Sequence, residues 1–158
     1  MKGYTTLITI LLIVITFNST AQTSTNCDVK SLKTSLKEEV GSDYRYDASN
    51  ITSFTYSSSI QGKQIEVPLF KDQKYKLIFN INDANRNFQI YISYEKAGDE
   101  NRTNIFALKD VRKEGQNIYV FEPKVSKPVY ITYIIPPSVE STETSCVVFM
   151  LGYTMNTF

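Results

Sequence analysis

Two cysteines, Cys27 and Cys146, stand near opposite ends of this 158-residue chain, and it holds no third thiol. Bonded to each other, they force whatever begins at Cys27 to pack against whatever contains Cys146, so one covalent link decides which ends of the fold meet. Closing a loop of about 120 residues stabilises a domain by roughly 4–5 kcal/mol in the chain-entropy description of disulfides. That is comparable with the whole stability of a marginal domain. A redox-active or metal-binding pair is the alternative. The wide spacing and the lack of any histidine favour the structural staple.

The start of the chain assigns the compartment in which such a bond forms. After Met1-Lys2-Gly3-Tyr4, the run Thr5–Phe17 is almost wholly apolar, and Asn18-Ser19-Thr20-Ala21 places small side chains at the −3 and −1 positions of a cleavage site. This is the pattern of a secretory signal peptide over residues 1–21. The apolar run falls short of the roughly 17–25 residues that span a bilayer, and Thr25-Asn26 fits poorly as the approach to a lipid-modified Cys27. Cleavage leaves a single domain over residues 22–158, long enough for a real core. With Lys2 removed, 16 basic groups balance 16 acidic ones. Such neutrality argues against nucleic acid or an anionic membrane as partner. Export to the periplasm or beyond, in an oxidising milieu, is the expectation.

Within the mature segment, only Asp28–Val40 carries a helical pattern. Val29, Leu32, Leu36 and Val40 recur at intervals of three and four, Asn26 or Asp28 can cap the start, and Gly41 ends the stripe. From Ile51 onward the apolar residues form short runs separated by turn residues: Ile51–Tyr56, Ile65–Leu69, Tyr75–Phe79, Phe88–Tyr94, Ile105–Leu108, Ile118–Phe121, Val129–Ile135 and Cys146–Tyr153. Pro68 marks the second run as an edge strand. The fold class this implies is mainly β, an antiparallel β-sandwich, jelly-roll-like, of about seven or eight strands with one N-terminal α-helix packed on it. Val129–Ile135 and Cys146–Leu151 are apolar on both faces and read as central strands covered on both sides. In the last strand, Val147, Phe149 and Leu151 should face the sandwich core, while Cys146, Val148 and Met150 face the helix tied down by Cys27.

Few residues offer chemistry. Without histidine there is no Ser-His or Cys-His nucleophile and no His-based zinc site. Carboxylates at Glu38-Glu39, Asp99-Glu100, Asp43 and Asp47 could in principle serve an acid-based hydrolase, but they read as solvated charges on a helix face or loops. Asp83-Ala84-Asn85-Arg86-Asn87 has the D-x-N-x-N spacing of a calcium loop, yet Phe88 replaces the required glycine, Tyr94 the closing glutamate, and Arg86 adds a positive charge. The string is read as a polar turn, with no metal and no cofactor. Tyr44-Arg45-Tyr46, on the segment joining the helix to the first strand, is the candidate binding site. Two rings flanking an arginine can stack on a sugar or grip a peptide; alternatively they tuck down to seal the helix against the sheet.

The stretches 44–52, Glu66-Val67-Pro68-Leu69-Phe70, Tyr75–Asn80 and Cys146–Tyr153 resemble uncharacterised single-domain exported proteins of Gram-negative bacteria, a resemblance that implies no activity. More distantly, Lys74–Asn80, Phe88–Tyr94, Ile118–Glu122 and Val129–Tyr133 look like the strand series of bacterial pre-peptidase C-terminal (PPC) domains. That similarity implies a small jelly-roll-like sandwich, some members of which bind collagen, polysaccharide or calcium. Pro128 stands where those domains have glycine and Asn87 where they have an acid, so the resemblance supports the fold more than the calcium or ligand role. The functional expectation is a non-catalytic exported binding module for a surface polymer or a protein partner. The alternative is a structural or assembly component of the envelope, with an acid-based hydrolase third.

Overall fold

A computed structural model describes residues 27–84, 87–139 and 143–155; the proposed signal peptide and the residues up to 26 lie outside it. Helix α1 covers Val29–Val40, one residue later than its sequence pattern begins, because Asp28 serves as N-cap and its side chain accepts from Ser31 N at 3.1 Å. Gly41 follows at φ 74°, a left-handed conformation that a residue with a Cβ adopts only at a cost. Leu32, Leu36 and Val40 are buried, so the stripe does pack on a neighbour.

Eight strands follow: β1 Arg45–Thr55, β2 Gln61–Val67, β3 Gln73–Asn80, β4 Gln89–Ser93, β5 Asn104–Ala107, β6 Ile118–Phe121, β7 Val129–Ile135 and β8 Thr144–Met155. A single helical turn, α2 Leu108–Val111, separates β5 from β6. The strands form two antiparallel four-stranded sheets in the orders β1-β8-β3-β6 and β2-β7-β4-β5, the strand order of a jelly roll. The sandwich expectation therefore holds, with β2 at an edge as Pro68 implied.

Between the sheets lies a core that includes Leu77, Phe79, Ile90, Ile92, Ile131, Tyr133, Val147 and Phe149. Aromatic rings tie its layers together, Phe79 to Phe149 at 5.3 Å and Phe54 to Phe88 at 5.5 Å between centroids. A second apolar cluster sits on the outside of the first sheet, where Leu32, Leu36 and Val40 of α1 meet Ile78, Cys146, Val148 and Met150. The alternation of β8 is as the sequence implied: odd residues in the sandwich core, even residues under the helix. Cys27 and Cys146 are disulfide-bonded with their Cα atoms 5.6 Å apart. Asn80 adds a polar tie, donating to Ser35 Oγ of α1 at 2.8 Å.

Two expectations need correction. The first strand begins at Arg45, well before Ile51, because residues 45–51 lie along an exposed edge and show no apolar alternation to announce them. β7 is central, but among the described residues no secondary element covers its outer face: Tyr130 and Ile134 stay half-exposed there.

Replacing both cysteines, Cys27→Ser with Cys146→Ser, should lower the unfolding free energy by about 2–5 kcal/mol, measured by urea denaturation. An unchanged midpoint would contradict a structural role for the bond. Tyr133 generates a second expectation. It is fully buried, its hydroxyl approaches Thr52 without the geometry of a full hydrogen bond, and burial raises its pKa far above 10.0, an effect that this contact offsets only in part. Because the folded protein holds this phenol neutral, stability is complete below the unfolded value near pH 10 and declines as pH rises beyond it. Tyr133→Phe should stabilise by about 1 kcal/mol at neutral pH and reduce the alkaline decline. A loss of stability in that variant would show that the hydroxyl is usefully bonded.

Candidate functional site

Strand alternation separates the three residues of the Tyr44-Arg45-Tyr46 motif. Tyr46 pairs with Gly152 and so lies on the helix-covered face of the first sheet, while Arg45 pairs with Tyr153 and belongs to the opposite face. Tyr44 packs into the cluster beneath α1 and is half-buried, its Cβ close over Gly152: a Cβ built on that glycine would approach it to 3.3 Å. Lys76 Nζ sits 4.4 Å over the Tyr44 ring and donates to the Val40 carbonyl at 3.3 Å, placing a cation at the C-terminal end of the helix. Tyr44 thus seals the helix against the sheet. Tyr46 does not; it is 52% exposed and its hydroxyl donates to Ser49 Oγ at 3.3 Å.

Beside Tyr46 a groove of about 410 Å³ runs between α1 and β1, lined by Lys33, Lys37, Val40, Tyr46, Ser49 and Met150. Its floor is apolar and its helical wall carries two ammonium groups one turn apart. Neither lysine has a hydrogen bond or ion pair among the described residues. Their spacing of four puts both on one helix face, and the helical pattern of the sequence leaves them to solvent.

The groove opens onto the free edge of β1. Tyr56 N donates to Glu143 O at 2.9 Å, so even-numbered residues of this strand direct their backbone groups toward the β8 strand. Odd-numbered residues then face outward. Two of their carbonyls are capped by side chains from the edge strand of the other sheet, Ser53 O by Lys63 Nζ at 2.5 Å and Thr55 O by Gln61 Nε2 at 2.9 Å. At the other end the register shifts around Asp47. In between, Ser49 and Ile51 present their N–H and C=O groups to the open side, with the Ile51 side chain 38% exposed.

Of the calcium-like string, Asn85 and Arg86 lie outside the described residues. Asp83 turns toward the staple: a carboxylate oxygen of its side chain, Cys27 Sγ and Cys146 Sγ fall within 4.8 Å of one another. With both sulfurs in the disulfide, the carboxylate is the one free ligand of that group. The buried polar side chains among the described residues are Thr52, Asn80, Ser93, Thr132 and Ser145, with no carboxylate facing another across a cleft.

No protein family's sequence profile matches the chain, and no curated protein matches it at a meaningful level. Among solved structures it is similar to the crystal structure of Aeromonas hydrophila PliG, a periplasmic lysozyme inhibitor of g-type lysozyme, at 11% identity and a TM-score of 0.37, over 68% of this chain and 85% of that one. A likeness this slight carries no argument about what the chain binds, and neither sequence resemblance gains support from these comparisons.

The sealing role of Tyr44 has a titration signature. Burial first, then Glu122 as charge and as hydrogen-bond partner, then the charge of Asp43, hold its phenol above the ordinary value of 10.0. Tyr44 should therefore remain largely protonated at pH 10, followed by NMR of ring-labelled tyrosine, and Glu122→Gln should bring its midpoint closer to 10. A midpoint at or below 10 in the unsubstituted protein would place Tyr44 outside the seal.

Proposed function

We propose that this protein is a non-catalytic, exported binding module that takes an extended segment of a protein partner along the open middle of β1. The observation that carries the reading is the conjunction of outward-facing backbone groups at Ser49 and Ile51, with no neighbouring strand among the described residues, and the lysine-walled groove beside them. An extended segment adding to a sheet edge gains affinity from main-chain hydrogen bonds and specificity from alternate side chains. Here those on the helix side would fall next to Tyr46, Lys33 and Lys37, which suits acidic side chains. The disulfide supports an oxidising destination. No helix among the described residues is long and apolar enough to cross a membrane. Tyr46 keeps the binding role inferred from the sequence, whereas Tyr44 positions the helix and Arg45 lies on the other face.

The same edge could instead pair with a second copy of the chain, which would make the protein an assembly component. A capped decapeptide of alternating Glu and Thr separates these outcomes. On addition, amide NMR signals of Ser49 and Ile51 and ring signals of Tyr46 should shift. Ser49→Pro should weaken binding at least tenfold at unchanged thermal midpoint, because its N–H faces away from β8 and makes no bond within the sheet. Lys33→Glu with Lys37→Glu should transfer the preference to a Lys–Thr peptide. Shifts confined to other surfaces, or full affinity in Ser49→Pro, would contradict the site. A dimer of the unsubstituted protein that Ser49→Pro dissolves would replace the proposal by self-assembly.

A further inference from the structure

The outer face of the second sheet holds an arginine with an arrangement the sequence did not disclose. Arg102, on the loop between β4 and β5, lies against that face and is half-buried. Its Nε donates to Ser93 Oγ at 3.1 Å and its Nη2 to Thr132 Oγ1 at 3.0 Å. Both hydroxyls are themselves held. Ser93 Oγ donates to the Glu95 carbonyl at 2.7 Å, and Gln64 Nε2 reaches Thr132 Oγ1 at 2.9 Å while its own carbonyl accepts from Ala97 N at 3.3 Å. Ser93 and Thr132 are buried. The guanidinium is thus fixed in plane and position by a braced set of neutral groups.

The strand register says what surrounds it. Tyr91 stands directly opposite Thr132, and Ser93 directly opposite Tyr130. These four form a square on the outer face, the two hydroxyl residues on one diagonal and the two tyrosines on the other. An arginine bonded to the first diagonal lies with a half-exposed tyrosine at each side. Because Nε and the near proton of Nη2 are used, the fork between Nη1 and Nη2 remains. It has no acidic partner within ion-pair distance among the described residues. A planar fork of two parallel N–H donors matches a carboxylate.

We infer that this fixed guanidinium, on the outer face of the second sheet, is a second binding site, for the carboxylate of an acidic polysaccharide built from uronic acid units. The tyrosines supply flanking surface for the sugar ring, and the exposed Asn104, on the same face, supplies an amide for its hydroxyls. A peptide ligand fits less well. β7 and β4 are both interior strands whose ladders are paired, so no edge is open there to an extended chain. The inference does not depend on the β1 proposal; the two sites lie on different sheets. It also needs no net positive charge, only one cation fixed before the ligand arrives.

The test is titration calorimetry of the full mature protein with a galacturonate hexamer, as free acid and as methyl ester. The free acid should bind and the ester should bind at least tenfold more weakly. Arg102→Gln should lose the free-acid binding while keeping the thermal midpoint and the response of β1 to its peptide. Undetectable binding of the free acid at millimolar concentration, equal binding of the ester, or full affinity in Arg102→Gln would each overturn the inference. So would equal competition by a glutamate hexapeptide, which would reassign the site to acidic peptides. If Arg102→Gln fails to fold, the comparison of acid with ester on the unsubstituted protein decides alone.

Discussion

The covalent and apolar clamp between α1 and β8 is the constraint on which the other features depend. An amphipathic helix of 12 residues has little stability in isolation and must bury its stripe. The Cys27–Cys146 bond holds its N-terminal end at one end of the central strand, and Lys76, Tyr44 and Gly152 secure the other. Between these anchors Leu32, Leu36 and Val40 close over Ile78, Val148 and Met150. The result is that β8 is buried on both faces from Ser145 to Gly152, which a two-layer sandwich alone would not achieve. Gly152 has a specific part in this, since a methyl group there would press on both Tyr44 and Val40, at 3.3 and 3.4 Å.

Seating the helix over β8 and β3 leaves β1 at the margin. An exposed edge strand is an aggregation hazard, and this one is blunted at both ends: by Lys63 and Gln61 reaching across from β2, and by the register shift at Asp47. The middle is left open next to the groove that the helix creates. On the outer face of the other sheet, where no helix lies among the described residues, a loop arginine is held down by hydroxyls. The two sheets therefore expose different chemistry, backbone groups with lysines on one and a fixed guanidinium between tyrosines on the other.

What the sequence disclosed followed from periodicity. The stripe of α1, the two-faced apolar run of β8 and the single pair of cysteines together specify the helix position down to the parity of β8, because a period of two and a covalent bond leave one arrangement. Pro68 likewise identifies an edge strand. The first half of β1 is illegible in the sequence because polar edge residues satisfy no alternation and so resemble a connector. For the same reason Tyr44 and Tyr46 looked like a unit with Arg45: on a strand, neighbours diverge to opposite faces. The Arg102 cluster is beyond reach of sequence, since Gln64, Ser93, Arg102 and Thr132 come from four segments that only the sheet register brings together.

The account rests most directly on which backbone groups of β1 are already used within the domain, and hydrogen–deuterium exchange of the free protein reads this residue by residue. Asn50, Thr52 and Phe54, whose backbone groups face β8, should exchange slowly, while Ser49 and Ile51 between them exchange at rates near those of an unstructured chain. Slow exchange at Ser49 and Ile51 as well would mean that this edge is already covered, and would contradict a partner site built on it.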